Sequence, residues 1–332
     1  MNKISKKIFL FLLVLTTILV VGGFLFWRGV YIPKNAQAEQ VIFEIKKGEN
    51  FLSISQNLEK TGLIRHRLFF QVYILTTWGY KNLQAGAYLL SSSMNIAQIA
   101  EAIVKGESAK IKITAPEGLT LEEIEAMGLD LQISGFNLRD SVVSDLKQDY
   151  GFLKDAPDDA LLEGFLFPDT YYFELGIGRE GMIETFLNNF DKKLLPELRR
   201  EIENQNKTIF EIITMASILE KEVVTLSDKE IVAGILWKRL RNNMPLQVDA
   251  TVAYAVGTNK LSKDDMKVDS PYNTYKYQGL PVGPICNPGI ESIRAAIYPR
   301  DAYYWYYLST PTGQTIFSST LDQHINAINK YF

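Results

Sequence analysis

Residues 208–224 read TIFEIITMASILEKEVV and carry the clearest structural signal in the chain. Thr208 and Glu211 have the spacing of a capping box, which predicts a helix that begins at Ile209. At about 100° per residue, most of the aliphatic side chains collect on one arc of that helix. The pattern therefore predicts a helix that is packed into a hydrophobic core.

One carboxylate lies on the apolar arc of this helix. Glu220 falls in the middle of the arc, whereas Lys221 and Glu222 lie opposite it, on the face expected to meet solvent. Burial disfavours an ionised carboxyl, and a carboxyl that is protonated near neutral pH is what a general acid requires. A buried Glu that pairs with a Lys or Arg for structural reasons is the alternative. The helical periodicity makes Glu220 a candidate catalytic acid, and it leaves open both the catalytic and the structural interpretation.

The chain after this helix is rich in polar loops. A further capping-box pattern at Ser227 and Glu230 predicts a helix over 228–241. Residues 242–290 are dense in Pro, Gly, Asn and Tyr, and long ordered loops of that composition commonly carry function. Planar amides, a carboxylate and aromatic rings are the groups that a sugar site uses. The candidates of this kind are Gln247, Asp249, Asn273 and Tyr275.

Two other segments of the larger part of the chain show readable patterns. LEGFLFPDTY (162–171) places Glu163 after an apolar stretch, and its Phe-Pro-Asp-Thr turn favours a structural role for the polar groups. YYWYYLS (303–309) and TIFSS (315–319) flank a PTGQ turn and predict a hairpin, followed by a terminal helix around His324. Residues 128–160 predict only a mixture of helix and loop.

A smaller unit precedes these segments. Its pattern is strand, helix, helix, strand and helix over 41–106, which predicts a compact α+β module. Gly106 has the position of a helix C-terminal cap. KIKITA (110–115) predicts a further strand, and Thr120 with Glu123 forms another capping-box pattern. The short polar segment 29–40 reads as a linker.

The amino end predicts a membrane anchor. Ile8 to Trp27 is a run without a charge, long enough for the ~30 Å hydrocarbon core of a bilayer. Three lysines precede the run, so a cytoplasmic tail (1–7), a transmembrane helix (8–28) and an exported remainder are expected. A cleaved signal peptide is the alternative, because Ala36-Gln37-Ala38 fits a cleavage site, although it lies well beyond the apolar run.

The composition excludes several classes of protein. The chain has 332 residues, 47% hydrophobic and 22% charged, which is typical of two or three globular domains. A formal net charge of -3 argues against nucleic acid as the partner. One Cys and two His exclude a disulfide framework and a Cys/His zinc site. No phosphate loop or metal motif is present, so no cofactor and no metal are expected.

Taken together, the motifs resemble the endolytic murein transglycosylase family, also called MltG or YceG-like. The resemblance covers nearly everything after the anchor, and the matching segments keep their order. They are ITAPEGLT (113–120), EGFLFPDTY (163–171), MASILEKE (215–222), LQVDATVAYAVG (246–257), YNTY (272–275) and GLPVGPICNPG (279–289). The sequence departs from the family pattern at Ala250, Val282 and Cys286, the last of which puts the shape of its loop in doubt.

The resemblance implies a fold, an activity and a location. It implies a LysM-like module at 41–107 and a mixed α+β catalytic domain at 108–332. It implies a single-pass protein of the bacterial inner membrane, with its C-terminal part outside the cytoplasm. The enzyme would be a lyase that cuts peptidoglycan strands internally between N-acetylmuramic acid and N-acetylglucosamine, leaving 1,6-anhydro ends. Such cuts would terminate nascent strands, in concert with penicillin-binding synthases.

The resemblance also implies roles for single residues. Glu220 would be the catalytic acid, and Glu163, Gln247, Asp249 and Asn273 would line the cleft around it, with Tyr275 as a further substrate contact. Two rival functions remain open. One is a muramidase-type hydrolase, which needs a second carboxylate, with Glu163 as the first choice. The other is a glycan-binding or synthase-scaffolding protein in which Glu220 is structural.

Overall fold

The computed structural model describes two compact units. The described residues are 3–130, 137–174, 177–258, 260–301 and 303–332. The first unit comprises residues 1–111 together with 172–177, and the second comprises 112–171 together with 178–332. The first unit therefore includes the anchor helix and extends beyond the predicted 41–107 module.

The first unit has the predicted order of strands and helices. Its elements are α1 (Lys3–Tyr31), β1 (Gln40–Ile45), α2 (Phe51–Lys60), α3 (Arg67–Thr77), β2 (Gly86–Ser91) and α4 (Ile96–Lys105). β1 and β2 pair antiparallel, with Phe43 opposite Tyr88. Alternate side chains of both strands pack with the three short helices in one hydrophobic core. Gly106 ends α4 in the left-handed conformation, as predicted.

The N-terminal helix is longer than the sequence suggests. α1 continues to Tyr31, so the first residues of the predicted 29–40 linker are helical. Within the described part of the chain, Phe9–Tyr31 is the one helical segment long and apolar enough to cross a membrane. Val30, near its end, is fully buried in the core of the first unit. The C-terminal end of α1 is thus part of the module's packing.

A second two-stranded sheet joins distant parts of the chain. It consists of β3 (Lys110–Ala115) and β4 (Asp169–Glu174), and the boundary between the two units passes through both strands. After β3, the backbone N–H groups of Thr120 and Glu123 donate to each other's side chains, which confirms the predicted capping box at the start of α5 (Leu121–Asp130). The predicted mixed region 128–160 includes residues 131–136, which lie outside the described residues.

The second unit is built mainly from helices around α8. Its elements after α5 and β4 are α6 (Arg179–Lys193), α7 (Pro196–Asn204), α8 (Ile209–Glu222), α9 (Leu226–Arg241), α10 (Asp249–Val256), α11 (Ile290–Ile297), β5 (Tyr306–Ser309), β6 (Thr315–Ser318) and α12 (Leu321–Tyr331). β5 and β6 form the predicted C-terminal hairpin. α8 begins with the predicted capping box, and all eight residues from Ile212 to Leu219 are buried. The predicted core helix is confirmed.

One predicted helix start is wrong. α9 is capped by the side chain of Thr225, which accepts from the N–H of Asp228, and not by the Ser227–Glu230 pair. Ser227 and Glu230 accept hydrogen bonds from the guanidinium of Arg300 instead. Thr225 with Asp228 and Ser227 with Glu230 have the same three-residue spacing. The local sequence pattern could not show that Arg300, far along the chain, binds the second pair.

The second unit contains a close approach that depends on glycine. Gly234 lies within α9, and a Cβ at this position would lie 2.1 Å from the carbonyl oxygen of Arg300. Replacing Gly by Ala in an open helix stabilises it by about 1 kcal/mol, because Ala has the higher helix propensity. At Gly234 the backbone at position 300 must move instead. We expect Gly234→Ala to lower the free energy of unfolding by about 1–3 kcal/mol, measured by urea denaturation.

Gly151→Ala is the matched control for this prediction. No atom lies within 4 Å of a Cβ built at Gly151, so its substitution should leave the unfolding midpoint unchanged or raise it slightly. Equal stability of the two variants would contradict the close approach.

Candidate active site

The C-terminal end of α8 carries two carboxylates, Glu220 and Glu222, in different surroundings. The helix ends at Glu222 because Val223 adopts an extended conformation, with φ −145° and ψ 149°. Residues two positions apart point about 200° away from each other on a helix. The two side chains are therefore surrounded by different segments of the second unit, and each environment gives its carboxylate a different chemistry.

Glu220 is fully engaged in polar contacts. Lys229 donates to one of its oxygens at 3.1 Å, and the other accepts from the N–H of Gly289 at 2.9 Å and the hydroxyl of Ser292 at 2.6 Å. The side chains of the ion pair are 10% and 4% exposed for Glu220 and Lys229 respectively. A buried charge needs this combination of a counter-ion and hydrogen bonds. These contacts occupy both carboxylate oxygens, and they attach Glu220 to the 287–292 loop.

A third carboxylate lies beside this ion pair. A Cβ built at Gly289 would lie 1.9 Å from a carboxylate oxygen of Glu117, so the Glu117 side chain lies directly against the glycine. Burial, together with the nearby negative charge of Glu220, raises the pKa of Glu117. Sequence reasoning missed Glu117, although it belongs to the ITAPEGLT segment (113–120). That segment gave no signal except a predicted strand and turn.

Glu222 has the chemistry that was expected of Glu220. Burial, with a smaller contribution from the negative charge of Asp249, raises the pKa of Glu222 to about 7. Hydrogen bonding from the hydroxyl of Tyr307 and the N–H of Ala250 opposes the rise in part. The residue as a whole is partly exposed. Glu222 is thus a partly exposed residue whose carboxyl has its pKa raised to the neutral range.

The prediction of a solvent-facing Glu222 is wrong because distant segments cover the end of α8. Tyr307 belongs to the C-terminal hairpin, and the hydroxyl of Ser309 on the same strand donates to the carbonyl of Glu222 at 2.9 Å. Ala250 belongs to the start of α10. Helical periodicity describes a single helix, and both covering segments come from other parts of the chain.

Two of the predicted site residues, Asp249 at the start of α10 and Tyr275 in a later loop, interact with Glu222. The hydroxyl of Tyr275 donates to Asp249 at 2.5 Å, the charge of Asp249 raises the pKa of Glu222, and the charge of Glu222 raises the pKa of Tyr275. Gln247 is exposed and has a φ of 55°, in the left-handed region that costs a non-glycine residue energy. Such strain is typical of functional sites. Asp249 and Tyr275, with the strained Gln247 close by in sequence, form the polar surroundings of Glu222.

Asn273 is placed differently from its predicted position in the cleft. It is completely buried, and its amide donates to the carbonyls of Met266 and Val268. Its side-chain oxygen accepts from the backbone N–H groups of Tyr275 and Lys276. All of these bonds are internal to one loop. Asn273 therefore shapes the loop that carries Tyr275, and it presents no free group to a ligand.

Glu163 is also buried, behind the surface of the site. Both of its oxygens accept from the N–H of Leu121 at 3.0 Å, and further bonds come from the amide of Asn287 and the hydroxyl of Tyr254. Burial raises the pKa of Glu163 to about 7, and the hydrogen bond from Leu121 opposes the rise. Glu163 joins three segments of the second unit. Its oxygens are occupied, which disfavours a direct role with substrate.

The remaining candidate groups show no site of their own. Cys286 is a buried free thiol whose Sγ donates to the carbonyl of Ser217 at 3.3 Å, and burial raises its pKa. It thus helps to fix the 284–289 loop on α8, so the departure from the family pattern is accommodated. No group of three His, Cys, Asp or Glu side chains that could hold a metal ion occurs among the residues that the structure describes.

Glu163 makes the stability of the protein depend on pH. Its pKa is higher in the folded protein, at about 7, than in the unfolded chain, at about 4.5, so the folded state binds more protons between these values. The stabilisation is complete below pH 4.5 and is lost as the pH rises through 7. We expect Glu163→Gln, which cannot titrate, to lose less stability over this interval than the wild type, by up to about 3 kcal/mol.

The measurement is urea denaturation at half-unit steps from pH 4.5 to 8. Glu203→Gln, at an exposed position of α7, is the control for removal of a carboxylate at the surface. Parallel pH profiles of the wild type and Glu163→Gln would contradict the raised pKa of Glu163.

Comparison with known proteins places this site in a family. Residues 43–330 match the model of the YceG-like family. The chain is 30% identical to the endolytic murein transglycosylase of Bacillus subtilis, over 94% of this chain and 91% of that protein. It is 31% identical to the endolytic murein transglycosylase of Streptococcus pneumoniae strain D39, over 94% of this chain but 63% of that protein.

A solved structure shows the same fold. The 2.6 Å crystal structure of a YceG-like protein from Listeria monocytogenes aligns with a TM-score of 0.60 at 34% identity. The alignment covers 88% of this chain and 100% of that chain.

Proposed function

The chain belongs to the YceG-like family, and from this membership and the geometry around Glu222 we infer that it is an endolytic murein transglycosylase. This is a lyase that cuts peptidoglycan strands internally, between N-acetylmuramic acid and N-acetylglucosamine. The observation that carries the chemical assignment is the carboxyl of Glu222, a partly exposed residue whose pKa burial raises to about 7. A general acid is most effective when its pKa lies near the working pH.

Glu222 serves as the acid in this proposal, and Glu220 serves as a positioning residue. Glu220 accepts bonds from Lys229, Gly289 and Ser292, so both of its oxygens already have partners within the protein. A carboxyl bonded in this way is not free to meet a glycosidic oxygen. The sequence-based choice of Glu220 as the acid stays a prediction, and the experiment below separates the two residues.

The reaction needs only one carboxyl that changes role. Protonated Glu222 donates its proton to the glycosidic oxygen as the bond from C1 of the muramic residue breaks. The C6 hydroxyl of the same sugar then attacks C1, and its proton passes to the Glu222 carboxylate, which regenerates the acid. Asp249 keeps the proton on Glu222 before the reaction and stabilises the positive charge that develops on the sugar.

The anchor and the location of the enzyme are part of the proposal. α1 is apolar and long enough to span a bilayer, and three lysines near its start favour a cytoplasmic amino end. The two units would then lie outside the cytoplasm as a single-pass membrane protein. Cleavage close to the membrane would terminate nascent glycan strands where synthases extend them.

The small module of the first unit is proposed to be LysM-like and to hold glycan. A groove of about 710 Å³ lies between the loop after β1 and the loop before β2. Aromatic and aliphatic side chains line it beside Asn50 and Glu49, and Phe51 and Tyr80 are the aromatic members. Aromatic faces with a few polar groups suit sugar rings.

The test compares two Gln variants of one helix on uncrosslinked glycan strands, with products identified by mass spectrometry. We expect the wild type to release anhydro-muramyl ends and Glu222→Gln to lose at least about a hundredfold in rate, because the acid is gone. Glu220→Gln should unfold at lower urea concentration and retain measurable cutting, since its loss weakens the 287–292 loop without removing the proton donor. Loss of cutting by a stably folded Glu220→Gln, with Glu222→Gln active, would return the acid to Glu220.

Asp249→Asn separates the lytic reaction from hydrolysis. A muramidase on this scaffold would use Asp249 as its second carboxylate, since the oxygens of Glu163 are occupied. Reducing ends from the wild type, together with an inactive Asp249→Asn, would establish that alternative. Bound strands without new ends, from full-length wild type in lipid, would establish a glycan-binding scaffold.

A further inference from the structure

The anchor helix does not end in a flexible tether. The ring of Phe69 in α3 would lie 2.7 Å from a Cβ at Gly29, so α3 packs directly against the glycine. The rings of Phe26 and Phe69 are 6.2 Å apart. One helical turn later, Tyr31 meets Tyr73 edge to face at 6.3 Å. Two aromatic side chains of α3 therefore dock on the last turns of α1.

The segment after the helix is also fixed to the module. The guanidinium of Arg65 donates to the carbonyl of Pro33 at 2.9 Å, and the ammonium of Lys34 donates to the carbonyl of Gly62 at 3.0 Å. The N–H of Asn35 donates to Ser92 at 3.0 Å. These bonds continue the contacts that the end of α1 makes with the module. The module is therefore held at a defined distance from the membrane-spanning part of α1.

The length of α1 gives that height. A hydrocarbon core of ~30 Å takes about 20 helical residues, and counted from Phe9 it ends at Arg28. Trp27 and Tyr31 are both about half exposed, at 51% and 46%, and such aromatics mark the boundary between hydrocarbon and headgroups. Phe26 thus lies at the level of the acyl chains, and the first turn of α3, which packs on it, lies near the headgroups.

At this height, α3 turns an apolar face outward. Leu68 and Val72 are four residues apart on one side of the helix and remain 56% and 45% exposed. The opposite side of α3, with Phe70 and Ile74, is fully buried in the module core. Basic residues occur in the segments that adjoin the apolar pair, and they suit anionic headgroups. They are Arg28 near the end of α1, Lys34 after it and Arg65 just before α3.

We propose that Leu68 and Val72 insert into the bilayer surface beside the anchor, so that α3 is a second, interfacial membrane contact. The proposal rests on the proposed anchoring of α1. The module then cannot swing on its tether. The groove between the β1 and β2 loops lies at the other end of α3, where Leu75 lines it, so a bound glycan is held at a fixed distance above the membrane.

Site-specific labelling of the full chain tests this contact. In a Cys286→Ser background, single cysteines at 68, 72 and 52 carry an environment-sensitive fluorophore. The protein is reconstituted in vesicles of phosphatidylcholine and phosphatidylglycerol, with or without nitroxide lipids. Leu52 is the matched control, because it is 64% exposed and lies at the start of α2, about 12 Å from Lys60 at the other end of that helix, beyond which Gly62 meets Lys34.

We expect quenching to decrease from 68 to 72 and to be absent at 52, with at least about twofold quenching at 68 for a residue at the acyl boundary. Equal, weak quenching at all three positions would overturn the interfacial contact. A fourth label at Leu19, in the middle of α1, keeps the two proposals apart. Quenching at 19 without quenching at 68 rejects the contact alone, and no quenching at 19 rejects the anchor and the contact together.

Discussion

The structure around the site depends on how α8 ends. A buried helix brings two carboxylates to its last turn, and the helical rotation sends them to opposite sides. On one side, Lys229, Gly289 and Ser292 donate hydrogen bonds to the two oxygens of Glu220. On the other side, burial and the negative charge of Asp249 raise the pKa of Glu222 to about 7. Two carboxylates in different surroundings thus lie two residues apart.

Much of the fold was readable because its signals are local. Capping boxes at Thr208 and Thr120, the helix-ending Gly106 and the period of the first-unit strands all act within a few residues, and each is found where the sequence placed it. The failures are non-local. Ser227 does not cap α9, because its hydroxyl accepts a hydrogen bond from Arg300 instead. The first residues of the expected linker are helical because they pack on α3.

The sequence predicted which residue types occur at the site better than it predicted the role of each residue. Asp249 and Tyr275 lie beside the acid, as residue type suggested. The side chains of Asn273 and Glu163 are bonded to other groups of the protein, which residue type and order cannot reveal. The face of Glu222 was misjudged because the C-terminal hairpin, some 85 residues away, covers part of it. Periodicity finds the faces of a helix, and only tertiary structure determines what covers each face.

Titration of the Glu222 carboxyl is the most direct measurement of the central claim. The protein is labelled with ¹³C at the glutamate side-chain carboxyls, and the signal of Glu222 is identified by its absence from the spectrum of Glu222→Gln. The account predicts that this signal titrates with a midpoint of about 7. A midpoint near the ordinary glutamate value of about 4.3 would contradict it, because the carboxyl would then carry no proton to donate at neutral pH.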